Sequence, residues 1–169
     1  ASHNADLAAN ISTVNDDGSM FRVTACSQFG GGHNSSRVCG TKGQIENVRG
    51  MGEKVMLRYD SWNIPEGMQE VNCYDPEHSP EDAELAKNAG HGGGDFWELY
   101  YFAREVLTGE PGPWGIYAAC DVTLAGIMAV RSSQNGGMPV EIPDFRNKEI
   151  REKYRNDNFA QEHFDLAAI

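Results

Sequence analysis

Phe21, Val23 and Ala25 alternate with Arg22, Thr24 and Cys26, a period of two that marks Ser19 to Ser27 as a β-strand with one face toward a core. Another β-branched-rich run, Ala8 to Val14, precedes it, and the intervening Asn15-Asp16-Asp17-Gly18 is a hairpin signal. Arg37 to Gly40 and Gln44 to Val48 flank Thr41-Lys42 as a second hairpin, and Lys54 to Tyr59 makes a further strand. Trp62, Pro65, Gly67, Pro76 and Pro80 then break any period, so Asp60 to Pro80 reads as an irregular excursion. Ser79-Pro80-Glu81 opens a short helix through Lys87, with serine as cap and proline at the first helical position.

The period changes after Gly94. Phe96, Leu99, Tyr100, Ala103, Val106 and Leu107 recur at three and four residues, which puts them on one helical face against a core. Asp95 followed three residues later by Glu98 forms the Asp variant of a capping box, and Gly109 with Pro111 stops the helix. A second long helix, about Tyr117 to Gln134, is apolar nearly all round and so predicts burial on more than one face. Asn135-Gly136-Gly137 ends it, and Pro139 to Pro143 reads as a short edge strand bracketed by prolines. Residues 146–169 are charged and polar until Leu166, a surface helix or loose tail. Strands early and apolar helices late predict one α+β domain over residues 1–169: an open, mostly antiparallel β-sheet with the two long helices packed on one face.

Charge narrows the partners. Twenty-five acidic against 14 basic residues give a net charge of −11, which opposes nucleic acid as a partner. No apolar run is long enough to span a membrane. Cys26, Cys39, Cys73 and Cys120 are too far apart for a metal knuckle and read as buried thiols. No H-x-x-x-H, H-E-x-x-H or D-x-D-x-D-G pattern occurs, so no metal site is expected, and no G-x-S-x-G elbow marks a nucleophile. Composition leaves the compartment open between cytoplasm and bacterial periplasm.

The candidate chemistry lies in glycine-rich loops. His91, in Gly90-His91-Gly92-Gly93-Gly94, is the candidate catalytic residue, because flanking glycines allow close approach of a ligand and imidazole can donate or accept near neutral pH. His33 in a second glycine loop, Gln28 at a strand end and Trp97 on the helix are candidate substrate-binding residues.

The G-H-G-G-x-D-F turn at residues 90–96 resembles the C-terminal domain of the Gfo/Idh/MocA oxidoreductases, most closely the branch acting on glycosides. Gly40-Thr41-Lys42-Gly43 resembles their G-T-K-G hairpin. Trp114 to Asp121 is similar to the start of their next helix, and Gly136 to Phe145 resembles their G-G-x-P-V-x-x-P-x-F segment. The family's Rossmann turn, G-x-G-x-x-G between strand and helix, is missing; Gly90 to Gly94 follows a polar run and reads as a tight helix entry. The family's E-K-P lysine segment is missing too. A start without methionine, running almost at once into a strand, suggests a cut at a domain boundary.

The resemblance therefore implies the substrate-binding and oligomerisation half of an NAD(P)-dependent sugar or glycoside oxidoreductase, or of an oxidative glycosidase. It implies no cofactor in this chain, with NAD or NADP held in the full-length parent, and no catalysis by the chain alone. The implied partners are a small carbohydrate or glycoside and further copies of the chain, joined through the open sheet face. The alternative is a non-catalytic ligand-binding or assembly module that lacks a cofactor domain.

Overall fold

Local turn chemistry organises the strands. The computed structural model describes residues 8–26, 34–48, 50, 54–75 and 83–159. The class is α+β and every strand pair is antiparallel, but the strands divide between two sheets. The chain correspondingly forms two compact units, Gly30–Lys87 and Ala1–Phe29 with Asn88–Ile169.

The Gly30–Lys87 unit carries a four-stranded sheet in chain order: β3 (Arg37–Gly40), β4 (Gly43–Asn47), β5 (Val55–Tyr59) and β6 (Val71–Tyr74). The two preceding strands, β1 (Ala8–Val14) and β2 (Met20–Cys26), belong to the other unit. Thr41-Lys42 closes the β3–β4 hairpin, with Gly40 opposite Gly43. The amide of Asn47 stitches the approach to β3: Ser36 N donates to Asn47 Oδ1 at 2.7 Å and Asn47 Nδ2 donates to the Asn34 carbonyl at 2.8 Å. Register sorts the side chains by face. Val38, Ile45, Val55, Leu57 and Tyr74 share one face, while Arg37, Gln44, Glu46 and Arg58 share the other.

β6 corrects the expected irregular excursion. Four residues are too few for their alternation to stand out among turns; pairing with β5 creates the strand, and Tyr59 N donates to the Glu70 carbonyl at its mouth. Lys54 Nζ joins Asp75 at 2.8 Å across the same pair of strands. The cysteines also depart from expectation. Cys39 and Cys73 lie on the sheet's edge strands and are exposed, as is Cys26 at the end of β2, and Cys120 is half-buried.

The other unit begins with the hairpin β1 (Ala8–Val14) and β2 (Met20–Cys26), in register from Ala8 opposite Cys26 to Val14 opposite Met20. Gly18 has φ 79°, a left-handed conformation that the turn requires, and Ser19 N donates to Asp17 Oδ1 at 2.8 Å. Hydrogen bonding from Ser19, from its side chain first and its N–H next, holds the Asp17 carboxyl below its ordinary range. Its helices are α2 (Gly94–Thr108), α3 (Ile116–Gln134) and α4 (Lys148–Tyr154); the short α1 (Ala83–Ala86) lies in the first-described unit. The expected entry of α1 at Ser79-Pro80 lies outside the described residues.

α3 meets β1 and buries Leu124 and Met128, one turn apart on a single face. The expected burial on more than one face does not occur: Val122 and Ile127 stand exposed. α2 departs in the same way, since Leu99, Val106 and Leu107 are exposed and none of its residues is buried. Helical spacing identifies a shared face but not what covers it.

Gly136 and Gly137, both at positive φ, lead out of α3, and Gly137 N donates to the Ser132 carbonyl. Residues 139–143 form no strand, which corrects the expected edge strand. Pro139 and Pro143 have no N–H to donate, and Pro143 is instead buried by packing. Arg146 then clamps the chain. It binds Asp121 of α3 through both guanidinium ends, at 2.9 and 2.7 Å, and reaches Asp144 at 3.2 Å. This bidentate pairing holds the Asp121 carboxyl below its usual range. Asn147 caps α4 by accepting from Glu149 N, so the charged stretch after residue 146 begins as a helix.

Candidate functional site

Three consecutive residues in left-handed conformation build the turn before α2: His91 at φ 53°, Gly92 at 67° and Gly93 at 96°. Glycine adopts this region without steric cost, whereas a histidine there is uncommon and must be held by its surroundings. The main chain holds it. The Gly90 carbonyl accepts from Gly93 N at 3.1 Å and from Asp95 N at 3.4 Å, and the Gly94 N–H bonds to the His91 carbonyl.

The helix starts at Gly94 with Gly93 in the cap position, so Asp95 lies inside the first turn and the expected Asp95–Glu98 capping box is not formed. α2 begins at Gly94 without a side-chain cap. Asp95 lies in the first turn and sends its carboxylate back to the imidazole, with Oδ1 2.8 Å from His91 Nδ1. Asp95 thereby complements the positive end of the helix dipole while facing the histidine.

Gly90 leaves room for that carboxylate. A Cβ on Gly90 would lie 3.3 Å from Asp95 Cγ and much nearer to Oδ2. The His91 side chain remains 87% exposed. The hydrogen bond that His91 donates to Asp95 is the largest influence raising the pKa of His91, the Asp95 charge the next; Glu98 adds a smaller contribution. The imidazolium is thus favoured by folding. This contribution to stability is fully present below the ordinary histidine pKa of 6.5 and fades as pH rises through the raised value.

One turn into α2, Trp97 belongs to a cluster of rings. It meets Phe96 edge-on at 5.0 Å between centroids, Tyr100 at 5.5 Å and Tyr101 at 5.9 Å. Trp97 is half-buried within this aromatic cluster. Of the four expected site residues, the structure places His91 and Trp97 on one turn-and-helix element. Gln28 and His33 lie outside the described residues. Asp95 was missed as a partner of His91; the four-residue spacing H-x-x-x-D was its signal, read instead as a cap.

The entrance to α2 does not fit a dinucleotide pyrophosphate. The Asp95 carboxylate would repel it, the neighbouring amides are engaged within the turn, and a four-residue helix, not a strand, precedes the glycines. Among the described residues, no three His, Cys, Asp or Glu side chains gather as metal ligands, and no helix is long and apolar enough to cross a membrane.

A family model described as "Glycosyl hydrolase 109, C-terminal domain" matches residues 32–152. Glycosyl hydrolase family 109 protein 2 of Akkermansia muciniphila is 34% identical over 114 residues, covering 63% of this chain and 24% of that protein. A glycosyl hydrolase family 109 protein of Stenotrophomonas maltophilia is 27% identical over 113 residues, 64% of this chain and 24% of its own length. The chain spans about a quarter of the length of these curated relatives. No solved structure matches. The match is consistent with the resemblance to the Gfo/Idh/MocA C-terminal domain. Because it covers more than half of the chain and runs through the sheet, the histidine turn and both long helices, this chain belongs to the glycosyl hydrolase 109 C-terminal domain family.

Proposed function

We propose that this chain is the substrate-binding and oligomerisation part of a glycoside-acting protein that uses NAD or NADP, either a sugar oxidoreductase or an oxidative glycosidase. The observation that carries the reading is an exposed imidazole on a main-chain-locked turn, in a chain whose curated relatives are named glycosyl hydrolases. In it, His91 meets the carbohydrate as the catalytic residue, and Trp97 offers an aromatic edge to the sugar. His33 and Gln28 complete the substrate contacts.

The dinucleotide belongs to another part of the longer protein. This chain, titrated with NAD or NADP in a calorimeter, should give no heat of binding; micromolar affinity would mean that the Gly90–Gly94 turn holds phosphate after all. Turnover of a panel of sugars and chromogenic glycosides by the longer protein, followed both as chromophore release and as a change in dinucleotide redox state, tests the activity, and failure in both readouts with either dinucleotide would remove the reading.

Self-association rests on exposed apolar area. Val38, Ile45 and Tyr74 on the apolar face of the four-stranded sheet are all exposed, at 66%, 44% and 43%. Soluble chains rarely leave such a face uncovered. Light scattering at high protein concentration should give the mass of a dimer or larger assembly, and a clean monomer mass would contradict this part of the proposal.

A further inference from the structure

The His91–Asp95 contact carries an inference that rests on the reading of His91 as the carbohydrate-facing group. A carboxylate has no proton to donate, so the hydrogen bond at 2.8 Å requires that Nδ1 carry one. In the neutral ring, the other nitrogen, Nε2, is then left with a lone pair. We propose that Asp95 is a positioning residue: it fixes His91 as the Nδ1–H tautomer, so that the ring presents Nε2 as an acceptor to a hydroxyl of a carbohydrate ligand.

Three features of the turn support this assignment independently. His91 sits at φ 53°, where the backbone is bonded at both ends of the turn, so rotation about the side-chain torsions is its main remaining freedom. Asp95 is in the first turn of a 15-residue helix, a rigid base from which to restrain that freedom. Gly90 is the only residue type that leaves the carboxylate unobstructed, since any Cβ there would crowd Asp95 Oδ2. An exposed ion pair formed merely for surface charge has no need of such clearance. The charged groups acting on the ring are Asp95 and, more weakly, Glu98.

The outward-facing nitrogen also suits a sugar. A hydroxyl can donate to Nε2 while the aromatic patch around Trp97 stands on the same element. Without Asp95, neutral imidazole would be free to exchange its proton between the two nitrogens and to turn either toward the ligand.

Long-range nitrogen NMR of the His91 ring in this chain, recorded above its raised pKa, reads the tautomer directly. The wild-type ring should be predominantly Nδ1–H. Asp95→Asn should lower the pKa of His91 and return the ring to a tautomer mixture. Gly90→Ala removes no charge but pushes the carboxylate aside, and should move both readouts in the same direction by less. In the longer protein, Asp95→Asn should lower kcat/KM by about tenfold or more and shift the acid limb of its pH profile downward, a smaller loss than deletion of the imidazole. Asp95→Glu should restore part of it. A predominantly Nε2–H ring in the wild type overturns the inference, as does a pKa or tautomer indifferent to Asp95→Asn. If His91→Ala abolishes activity while Asp95→Asn leaves tautomer and pH profile unchanged, the positioning role fails and the proposed site survives. If the tautomer is as expected but His91→Ala is fully active, the proposed site fails and the role of Asp95 in it falls too.

Discussion

Gly43→Ala is expected to destabilise the Gly30–Lys87 unit by about 3 kcal/mol or more, the scale of a severe steric insertion. Gly43 begins β4 and lies opposite both Gly40 of β3 and Tyr59 of β5. A Cβ there would stand 3.0 Å from Tyr59 Cα and 3.1 Å from the Arg58 carbonyl carbon, and closer still to the Arg58 oxygen. These are backbone atoms of the paired strand and cannot rotate away. Relief requires β4 and β5 to separate at the hairpin, with loss of ladder hydrogen bonds. Gly40→Ala is the control, because its Cβ would meet only the Gly43 carbonyl oxygen at an ordinary 3.6 Å. Urea melts of the two variants should differ widely; a Gly43→Ala midpoint equal to that of Gly40→Ala would show that the sheet accommodates the methyl group.

The second large effect is on turnover. His91→Ala in the longer protein should lower kcat by roughly 100-fold or more, the usual scale for a positioned acid–base group. Stability should hardly respond. The side chain is 87% exposed, the turn is held by main-chain bonds of Gly90, Gly93 and Gly94, and a surface ion pair is a weak contributor. Alanine is also an L residue at φ 53°, so it keeps the same backbone strain and the comparison isolates the ring. Thermal melts and steady-state rates read the two expectations separately. A melting temperature within about 2 °C of wild type together with a collapsed rate supports the functional role. A large drop in melting temperature with an unaltered rate assigns His91 to structure and removes it from the site.

Much of the chain's local structure was legible because its causes are local. Asn15 to Gly18 favours a tight reversal wherever it occurs, and β1 and β2 flank it in the register of a hairpin. Thr41-Lys42 does the same for β3 and β4. Apolar spacing and the glycine stops place α2 at Gly94–Thr108 and α3 at Ile116–Gln134, within about a residue of the pattern. The G-H-G-G turn and its neighbouring motifs all lie within the matched residues 32–152, and the family match is consistent with the resemblance to the Gfo/Idh/MocA C-terminal domain that they carried.

The misread parts depend on neighbours distant in sequence or on competition for the same group. β6 exists because β5 supplies its hydrogen bonds, whereas residues 139–143, with Pro139 and Pro143 lacking amide donors, pair with no strand among the described residues. Asp95 had two possible partners, the helix amides and the imidazole, and because the helix starts at Gly94 it lies inside the first turn, where its carboxylate meets His91. Which apolar faces are covered was likewise beyond the pattern, as the exposure of Leu99, Val106 and Val122 shows. Periodicity and turn residues, acting over a few positions, therefore determined the two hairpins and the two long helices of this protein. The tertiary structure alone decided the division of strands between two sheets, the exposed faces and the His91–Asp95 contact, because each depends on which groups meet in space and on which partner wins a hydrogen bond.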